Sequence, residues 1–322
     1  MITLRDVFIA RGRIDGQVGR TPLMRHPLLV QELGLDVWVK HENHNPTGAF
    51  KVRGGLNLLS QLDDGARQRG VVTASTGNHG QSIAFACRRH GVPCDVYVPV
   101  GNNPEKNAAM RALGASVVEH GRDFDEARAV VERVASAEGK RYIHSANEPL
   151  LVAGVGTYAL EIFDALPDAG VVLVPIGGGS GACGLVTVRD GLGATTEVIG
   201  VQAERADAFA RSWHGPERIV GERADTFAEG MATRVTFDLT FEILKRGLSD
   251  VVTLTEAELA EGVRLALRTT HNLAEGAGAA PIAAALKLRD RLAGRKVVCV
   301  MSGGNLDTDT LRTILGSPAP RS

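Results

Sequence analysis

Apolar positions recur along this chain with two periods, and together they predict an α/β protein. Short runs rich in valine and isoleucine indicate buried strands, whereas longer stretches with apolar residues three or four apart indicate helices. Strands that alternate with helices favour parallel sheets covered by helices. The pattern predicts strands at residues 37–39, 70–73, 95–98, 171–175, 197–202 and 296–301, and helices at residues 50–59, 108–113, 124–137 and 256–270.

The helix at residues 256–270 has the clearest start, because Thr255 stands before it and Glu258 follows three residues later. This spacing is typical of a capping box. No break in composition divides the chain before its last few residues. If the chain forms two domains, we therefore expect it to pass back and forth between them.

Glycine-bearing turns follow three of the predicted strands, at residues 75–80, 176–181 and 302–305. Ligands of open α/β folds bind at the carboxyl ends of strands. We therefore expect a binding site to form from these turns.

Composition narrows the class of partner. The 322 residues include 38 glycines, about 12% against a usual share of about 7%. Basic and acidic residues balance at 36 and 37, and aromatic residues make up 4%, so neither nucleic acid nor a membrane is an expected partner. The charged start of the chain is unlike a secretory signal, and the four cysteines are scattered. We expect a cytoplasmic protein without a disulfide framework or a zinc site.

The glycine-rich loop Gly177-Gly178-Gly179-Ser180-Gly181 lies between an apolar strand and a helix. Glycines let successive backbone N–H groups point at one anion, and the helix N-terminus adds positive potential, so the loop predicts phosphate binding. A tight turn without a ligand is one alternative. A dinucleotide fingerprint is another, Gly179-x-Gly181-x-x-Gly184 with Glu204 beyond the next strand, but a glycine-rich chain produces this match often.

Lys51 stands among small and apolar residues at the start of a predicted helix. Such an amine can be desolvated and serve as a nucleophile or a Schiff base, although most lysines are solvated surface residues. The nearby His41 and His44 lack the spacing of a metal motif, so we interpret them as polar loop residues.

The turn that begins at Ser75 offers hydroxyl, amide and backbone N–H groups from Ser75, Thr76, Asn78 and His79. This array suits a carboxylate, although serine and threonine also cap helices without a ligand. Ser302 places one further hydroxyl at a strand's end, where a simple turn is the alternative.

In this order, the segments resemble the fold-type II pyridoxal-phosphate (PLP) enzymes, in the serine/threonine dehydratase and serine racemase branch. The resemblance runs from the RTPL segment at residues 20–23 to the SGGN segment at residues 302–305. The PTGAFKVRG segment at residues 46–54 is similar to the Schiff-base motif of that branch. The segments at residues 147–149, 154–157 and 275–278 are also family-like.

The resemblance implies a two-domain fold of the tryptophan synthase β type, each domain an open, mainly parallel twisted sheet flanked by helices. Residues 1–54 and 147–322 would form a large PLP-binding domain, and residues 55–146 a small mobile domain. A homodimer is expected, as is common for soluble enzymes. Only a short segment follows Asn305, so we expect no regulatory domain of the biosynthetic threonine deaminase type.

The resemblance also implies roles for the residues of these motifs. Lys51 would carry the Schiff base and act as the general base, and Thr76 stands where racemases have a serine that acts on the opposite face. The cofactor would contact Phe50, Asn78, Gly177, Gly178, Gly179, Ser180, Gly181 and Ser302, the substrate carboxylate would contact Ser75, Thr76, Asn78 and His79, and the ring or its loop would contact Gly230 and Glu275.

The implied activity is β-elimination of a β-hydroxy amino acid such as threonine or serine, with a 2-oxo acid and ammonia as products. An ammonia-lyase for 3-hydroxyaspartate or phenylserine and an amino-acid racemase are alternatives, and an NAD-dependent oxidoreductase and a non-catalytic binder are distant ones. Gln202 and Ala208 stand where relatives often have acidic cation ligands, so no metal site is expected, although a divalent or monovalent cation on backbone carbonyls stays open. Glu229 stands before Gly230, where relatives usually have an aspartate, so an unusual substrate is a further alternative.

Overall fold

The computed structural model describes residues 2–122 and 124–317, and in it two sheets are flanked by helices. The predicted α/β class is confirmed. The strands are β1 (Leu23–Met24), β2 (Asp36–His41), β3 (Val71–Ala74), β4 (Cys94–Val98), β5 (Ser116–Glu119), β6 (Arg141–Tyr142), β7 (Val171–Pro175), β8 (Glu197–Ala203), β9 (Asp250–Leu254) and β10 (Lys296–Met301). The helices are α1 (Leu4–Ile14), α2 (Pro27–Leu33), α3 (Lys51–Leu59), α4 (Asp64–Arg69), α5 (Asn78–His90), α6 (Pro104–Ala112), α7 (Phe124–Glu138), α8 (Pro149–Val155), α9 (Thr157–Ala165), α10 (Ser180–Gly191), α11 (Ala208–His214), α12 (Asp238–Gly247), α13 (Glu256–Thr270), α14 (Gly276–Lys287), α15 (Arg289–Leu292) and α16 (Thr308–Gly316).

The larger sheet has the strand order β1-β2-β10-β7-β8-β9 and is parallel except for β1. Its central strands β7 and β10 are almost entirely buried runs of valine and other apolar residues, as expected for strands covered on both faces. Because these two strands are parallel neighbours, the turns that follow Pro175 and Met301 emerge at the same edge of the sheet.

The smaller sheet has the order β5-β4-β3-β6, and all its strands are parallel. They lie between Val71 and Tyr142, within the span predicted for the small domain. The division into domains stays a prediction, and its outer bounds at residues 1 and 322 lie outside the described residues.

Helix α3 packs closely between α5 and α8 because glycines remove side chains where these neighbours approach. A Cβ atom at Gly54 would lie 2.7 Å from the Leu151 carbonyl oxygen of α8, and one at Gly55 would lie 2.4 Å from the Ser82 hydroxyl of α5. Neither distance is possible for a real side chain, so these positions require glycine. The packing fixes the start of α3, where Lys51 stands.

A buried ion cluster lies directly behind the start of α3. The Arg53 guanidinium bonds both oxygens of Glu42, at 2.7 and 3.0 Å, and both oxygens of Glu161, at 2.7 and 3.0 Å. Lys40 Nζ lies 2.5 Å from the same Glu161 carboxylate, and the Thr21 hydroxyl donates to Glu42 at 2.5 Å. Because two cations face two anions, the cluster is neutral and its hydrogen-bonding groups are paired.

Helix α13 begins as the sequence predicts. The Thr255 hydroxyl accepts from the Glu258 amide, and the Glu258 carboxylate accepts from the Thr255 amide, which completes the capping box. Across residues 2–122 and 124–317, no helix is both long and apolar enough to cross a membrane.

Candidate active site

A cavity of about 640 Å³ opens at the carboxyl ends of β3, β7 and β10. The cavity brings together every position that the sequence singled out for cofactor, substrate or catalysis. The residues that line it include Phe50, Lys51, Ser75, Thr76, Asn78, His79, Gly177, Gly178, Gly179, Ser180, Gly181, Gly230, Glu275 and Ser302. Their individual roles stay predictions.

Lys51 is the first residue of α3, and its amine points at the glycine-rich loop. Lys51 Nζ donates to the Ser180 hydroxyl at 2.8 Å and to the Ser145 carbonyl oxygen at 3.3 Å. Both partners are neutral, so burial of the ammonium is not offset by a carboxylate, and it lowers the pKa of Lys51 from 10.5 to about 8. About a tenth of the amine is therefore neutral and nucleophilic at pH 7, far more than for a solvated lysine.

The glycine-rich loop turns sharply from β7 into α10. Gly179 caps the helix with a φ of 88°, and a Cβ atom at Gly177 would lie 2.1 Å from the Gly230 carbonyl oxygen. The first N–H groups of a helix have no partner within it, and the first residues of α10, Ser180 and Gly181, line the cavity, which suits the binding of an anion there. The Thr240 hydroxyl donates to the Gly178 carbonyl oxygen at 2.8 Å and holds the loop from behind.

Some polar groups of the turn before α5 stabilise the turn itself, and others face the cavity. The Ser75 hydroxyl accepts from the Gly77 amide at 3.1 Å and from the Gly80 amide at 2.8 Å, so it braces the turn. The His79 ring contacts the Thr73 hydroxyl at 2.9 Å, away from solvent, and burial lowers the pKa of His79 to about 3. Thr76 and the backbone N–H groups at the start of α5 remain to face a substrate carboxylate.

The side-chain amide of Asn78 forms hydrogen bonds with two other side chains. Its Nδ2 donates to Glu275 Oε1 at 2.7 Å, and its Oδ1 accepts from Asn305 Nδ2 at 2.7 Å. Glu275 is buried, and burial raises the pKa of its carboxyl from 4.5 to about 7.

Ser302 and Phe50 come from two segments that run side by side. The Phe50 amide donates to the Ser302 carbonyl oxygen at 3.0 Å, and the Gly304 amide donates to the Gly48 carbonyl oxygen at 2.9 Å. The Phe50 ring borders Gly181, whose added Cβ atom would lie 3.3 Å from it. The pairing links the segment before Lys51 to the turn after β10.

Two contacts beside this cavity could not be predicted from the sequence alone. Lys106 of α6 forms an ion pair with Glu229 at 2.5 Å, and this pair joins the helices of the smaller sheet to the turn at residues 229–231. Asn305 belongs to the SGGN segment, and from outside the cavity lining its Nδ2 donates to Asn78 Oδ1 at 2.7 Å. The Lys106–Glu229 and Asn305–Asn78 contacts each join residues far apart in the chain, so no local pattern predicts them. The unusual residue at position 229 indicates only that its loop differs from that of relatives.

The positions considered for a cation lie outside the cavity lining. Gln202 is buried, and its Oε1 accepts from the Ala210 amide at 2.9 Å, which leaves its Nε2 donor without a partner. An amide donor is no ligand for a cation. In the part of the chain that the structure describes, no three His, Cys, Asp or Glu side chains are grouped to hold a metal.

The histidines near Lys51 bond to other polar groups. His26 and His41 share a hydrogen bond of 2.8 Å between their Nε2 atoms, and His44 Nε2 lies 2.6 Å from Asn272 Oδ1. The interpretation of His41 as a loop residue is wrong, because His41 is the buried last residue of β2, where the strand places its ring against His26. His44 is exposed in the turn that follows β2, as interpreted.

The chain is similar to known proteins over nearly its whole length. A family model described as pyridoxal-phosphate dependent enzyme matches residues 14–303. The L-threonine ammonia-lyase of Thermotoga maritima is 37% identical over all of this chain and 80% of that protein. The catabolic L-threonine dehydratase of Escherichia coli is 34% identical over 98% of this chain and 96% of that protein.

Two solved structures have the same fold. Threonine deaminase isoform 2 of Solanum lycopersicum superposes with a TM-score of 0.90 at 28% identity and covers 97% of this chain and 91% of that one. Maize serine racemase superposes with a TM-score of 0.92 at 26% identity and covers 98% of this chain and 97% of that one.

Proposed function

Because the chain belongs to the pyridoxal-phosphate dependent enzyme family, we propose that it is an ammonia-lyase for a β-hydroxy amino acid of the threonine or serine type. The products are a 2-oxo acid and ammonia. The named threonine ammonia-lyase and dehydratase relatives, which match nearly the whole chain, support this class of reaction. The observation that carries the proposal is the desolvated Lys51 amine, which lies against Ser180 of the glycine-rich loop.

The residues at the cavity fit PLP. The glycine-rich loop has no room for side chains at Gly177 and leaves the first N–H groups of α10 free, which suits a phosphate. We propose that Lys51 would hold the cofactor covalently, that Asn78 and Ser302 would contact its ring and that Phe50 would pack beside it; all four residues line the cavity. When bound, PLP supplies an electron sink for the pair released at the substrate Cα atom.

Lys51 Nζ is the base for the Cα proton in this proposal. When it is not bonded to the cofactor, this amine would lie in the same desolvated pocket, where its lowered pKa favours the neutral, proton-accepting form. The Ser180 hydroxyl accepts a hydrogen bond from it and fixes its direction. The N–H groups at the start of α5, together with Thr76, hold the substrate carboxylate.

Ser302 supports elimination over transamination. Its hydroxyl carries no charge, so it stabilises a protonated ring nitrogen less than a carboxylate would. With Ser302 at the ring nitrogen, the cofactor would withdraw electrons from Cα less strongly than with a carboxylate there, which would favour prompt loss of the β-hydroxyl.

The finer expectations also belong to this proposal. We propose that the protein is a cytoplasmic homodimer with a large domain at residues 1–54 and 147–322 and a small domain at residues 55–146. The Lys106–Glu229 pair, which joins α6 to the turn at residues 229–231, supports a small domain that closes over the cavity.

A substrate panel tests the proposed activity. The purified protein, loaded with PLP, is assayed for 2-oxo acid and ammonia with both stereoisomers of threonine, serine, 3-hydroxyaspartate and phenylserine, with and without divalent cations. We expect release from at least one β-hydroxy amino acid and none from Lys51→Ala. Inversion of configuration without release would indicate a racemase instead, and a protein that takes up no PLP would contradict the proposal.

A further inference from the structure

A chain of hydrogen bonds connects the backbone near Lys51 to the cavity. Asn305 Nδ2 donates to the Thr47 carbonyl oxygen at 2.8 Å and to Asn78 Oδ1 at 2.7 Å. Asn78 Nδ2 in turn donates to Glu275 Oε1 at 2.7 Å. These three side chains come from the turn after β10, the start of α5 and the start of α14.

The polarity of this hydrogen-bond chain is fixed from its backbone end. A carbonyl oxygen only accepts hydrogen bonds, so the amide nitrogen of Asn305 must face Thr47. Both Nδ2 hydrogens of Asn305 are then used, one on Thr47 and one on Asn78. Because Asn305 donates to Asn78, the oxygen of the Asn78 amide must face Asn305, and its nitrogen must face Glu275.

The fit around Asn305 leaves its amide little freedom. Gly48 lies beside it with a φ of 67°, and an added Cβ atom there would lie 2.6 Å from Asn305 Oδ1. The neighbouring Gly304 amide bonds the Gly48 carbonyl oxygen at 2.9 Å. The two segments thus hold Asn305 against Thr47.

We infer that Asn305 is a positioning residue, which orients Asn78 so that an N–H donor, and not a carbonyl oxygen, faces the ring of the cofactor. One Nδ2 hydrogen of Asn78 is taken by Glu275, and the other has no partner in residues 2–122 and 124–317. Asn78 lines the cavity, so this second N–H is available to an oxygen on a bound ring. The inference rests on the proposed function, since it needs PLP in this cavity.

Asn305→Asp tests the inference by replacing the donor with an acceptor of the same shape. A carboxylate facing Asn78 favours rotation of the Asn78 amide, which then presents its oxygen to the cavity. We expect PLP to bind the variant roughly ten- to a hundredfold more weakly, the range for loss of a hydrogen bond to a charged group. We also expect the absorption maximum of the bound cofactor to shift from its wild-type position.

Asn57→Asp is the matched control. Asn57 is buried, and its Nδ2 donates to the Leu150 carbonyl oxygen at 2.6 Å, but it lies outside the cavity lining. We expect the PLP dissociation constant and absorption maximum of this control to stay at wild-type values. Asn305→Ala, which removes the donor without adding a charge, serves if the aspartate variant does not fold, and it should weaken PLP binding less.

A double-mutant cycle separates positioning from a general loss of structure. In an Asn78→Ala background, Asn305→Asp should change the PLP dissociation constant by less than about twofold, because the group through which it acts is gone. Wild-type affinity and spectrum in Asn305→Asp, or an undiminished effect in the Asn78→Ala background, would overturn the inference alone. Failure of the wild-type protein to bind PLP would instead overturn the proposed function.

Discussion

Replacing Glu161 by glutamine should destabilise the protein strongly, although Glu161 does not line the cavity. Its carboxylate accepts from Arg53 at 2.7 and 3.0 Å, from Lys40 at 2.5 Å and from the Thr21 amide at 3.1 Å. Glutamine removes one negative charge and presents an NH2 group to donors. The two buried cations, Lys40 and Arg53, would then share the single carboxylate of Glu42.

The size of the effect follows from burial. Removing one partner of a buried ion pair costs about 3–5 kcal/mol of unfolding free energy, because an unpaired charge remains in the interior. With an unfolding entropy of about 2.1 cal/mol/K per residue, a chain of this length loses about 1.5 °C in thermal midpoint for each kcal/mol. The expected fall is therefore roughly 4–7 °C.

Thermal unfolding followed by calorimetry or circular dichroism measures this fall, and an exposed ion pair provides the control. Arg25 Nε and Asp36 Oδ1 lie 2.8 Å apart, but their side chains are 46% and 37% exposed. Such pairs contribute about 0–1 kcal/mol, so Asp36→Asn should lower the midpoint by less than about 2 °C. Equal falls for the two variants would refute the argument that burial makes the Glu161 cluster sensitive.

Three further outcomes can be measured. Gly177→Ala should abolish PLP uptake, because its Cβ atom would lie 2.1 Å from the Gly230 carbonyl oxygen; uptake at wild-type affinity would show that the loop shifts freely. Capture of PLP by the apo protein should increase as pH rises through about 8, where the Lys51 amine loses its proton; a midpoint near 10.5 would mean a solvated amine. Glu229→Gln should raise KM about fivefold, the value of a partly buried ion pair of about 1 kcal/mol, because it removes the negative charge that pairs with Lys106 at the cavity. An unchanged KM would remove that pair from substrate capture.

Much of the secondary structure could be predicted because its causes are local. The buried runs at 171–175 and 296–301 are strands with the predicted bounds, and α13 has the predicted bounds because its capping box fixes its first turn. Strands β5 and β6 were missed because they are short and partly exposed, so they lack an apolar run. The start of α6 was predicted too late, although Asn103 before Pro104 is a strong N-cap.

The arrangement of the elements could not be predicted from these local patterns. The order β2-β10-β7 places the last strand of the chain between two earlier ones, and no local pattern encodes such a pairing. The cluster around Arg53 was likewise missed, because its four charged groups look in sequence like ordinary surface residues. Only their distances in the fold identify them as a buried unit.

The cavity residues were predicted as a set because each stands in a short motif, while the contacts among them were not. Asn78 and Ser302 were assigned by position in their motifs, but the bond that joins Asn78 to Asn305 spans most of the chain. The side chain of His79 shows the limit of motif reasoning, since its ring is buried and bonds the Thr73 hydroxyl.

The central claim is that Lys51 holds PLP covalently in this cavity. Reduction of the PLP-loaded protein with borohydride, followed by proteolysis and mass spectrometry, identifies the lysine that is attached. We expect the pyridoxyl phosphate group on the peptide that contains Lys51, and loss of that label in Lys51→Ala. A label on another lysine of the wild-type protein, or none at all, would contradict the assignment of this cavity as the active site.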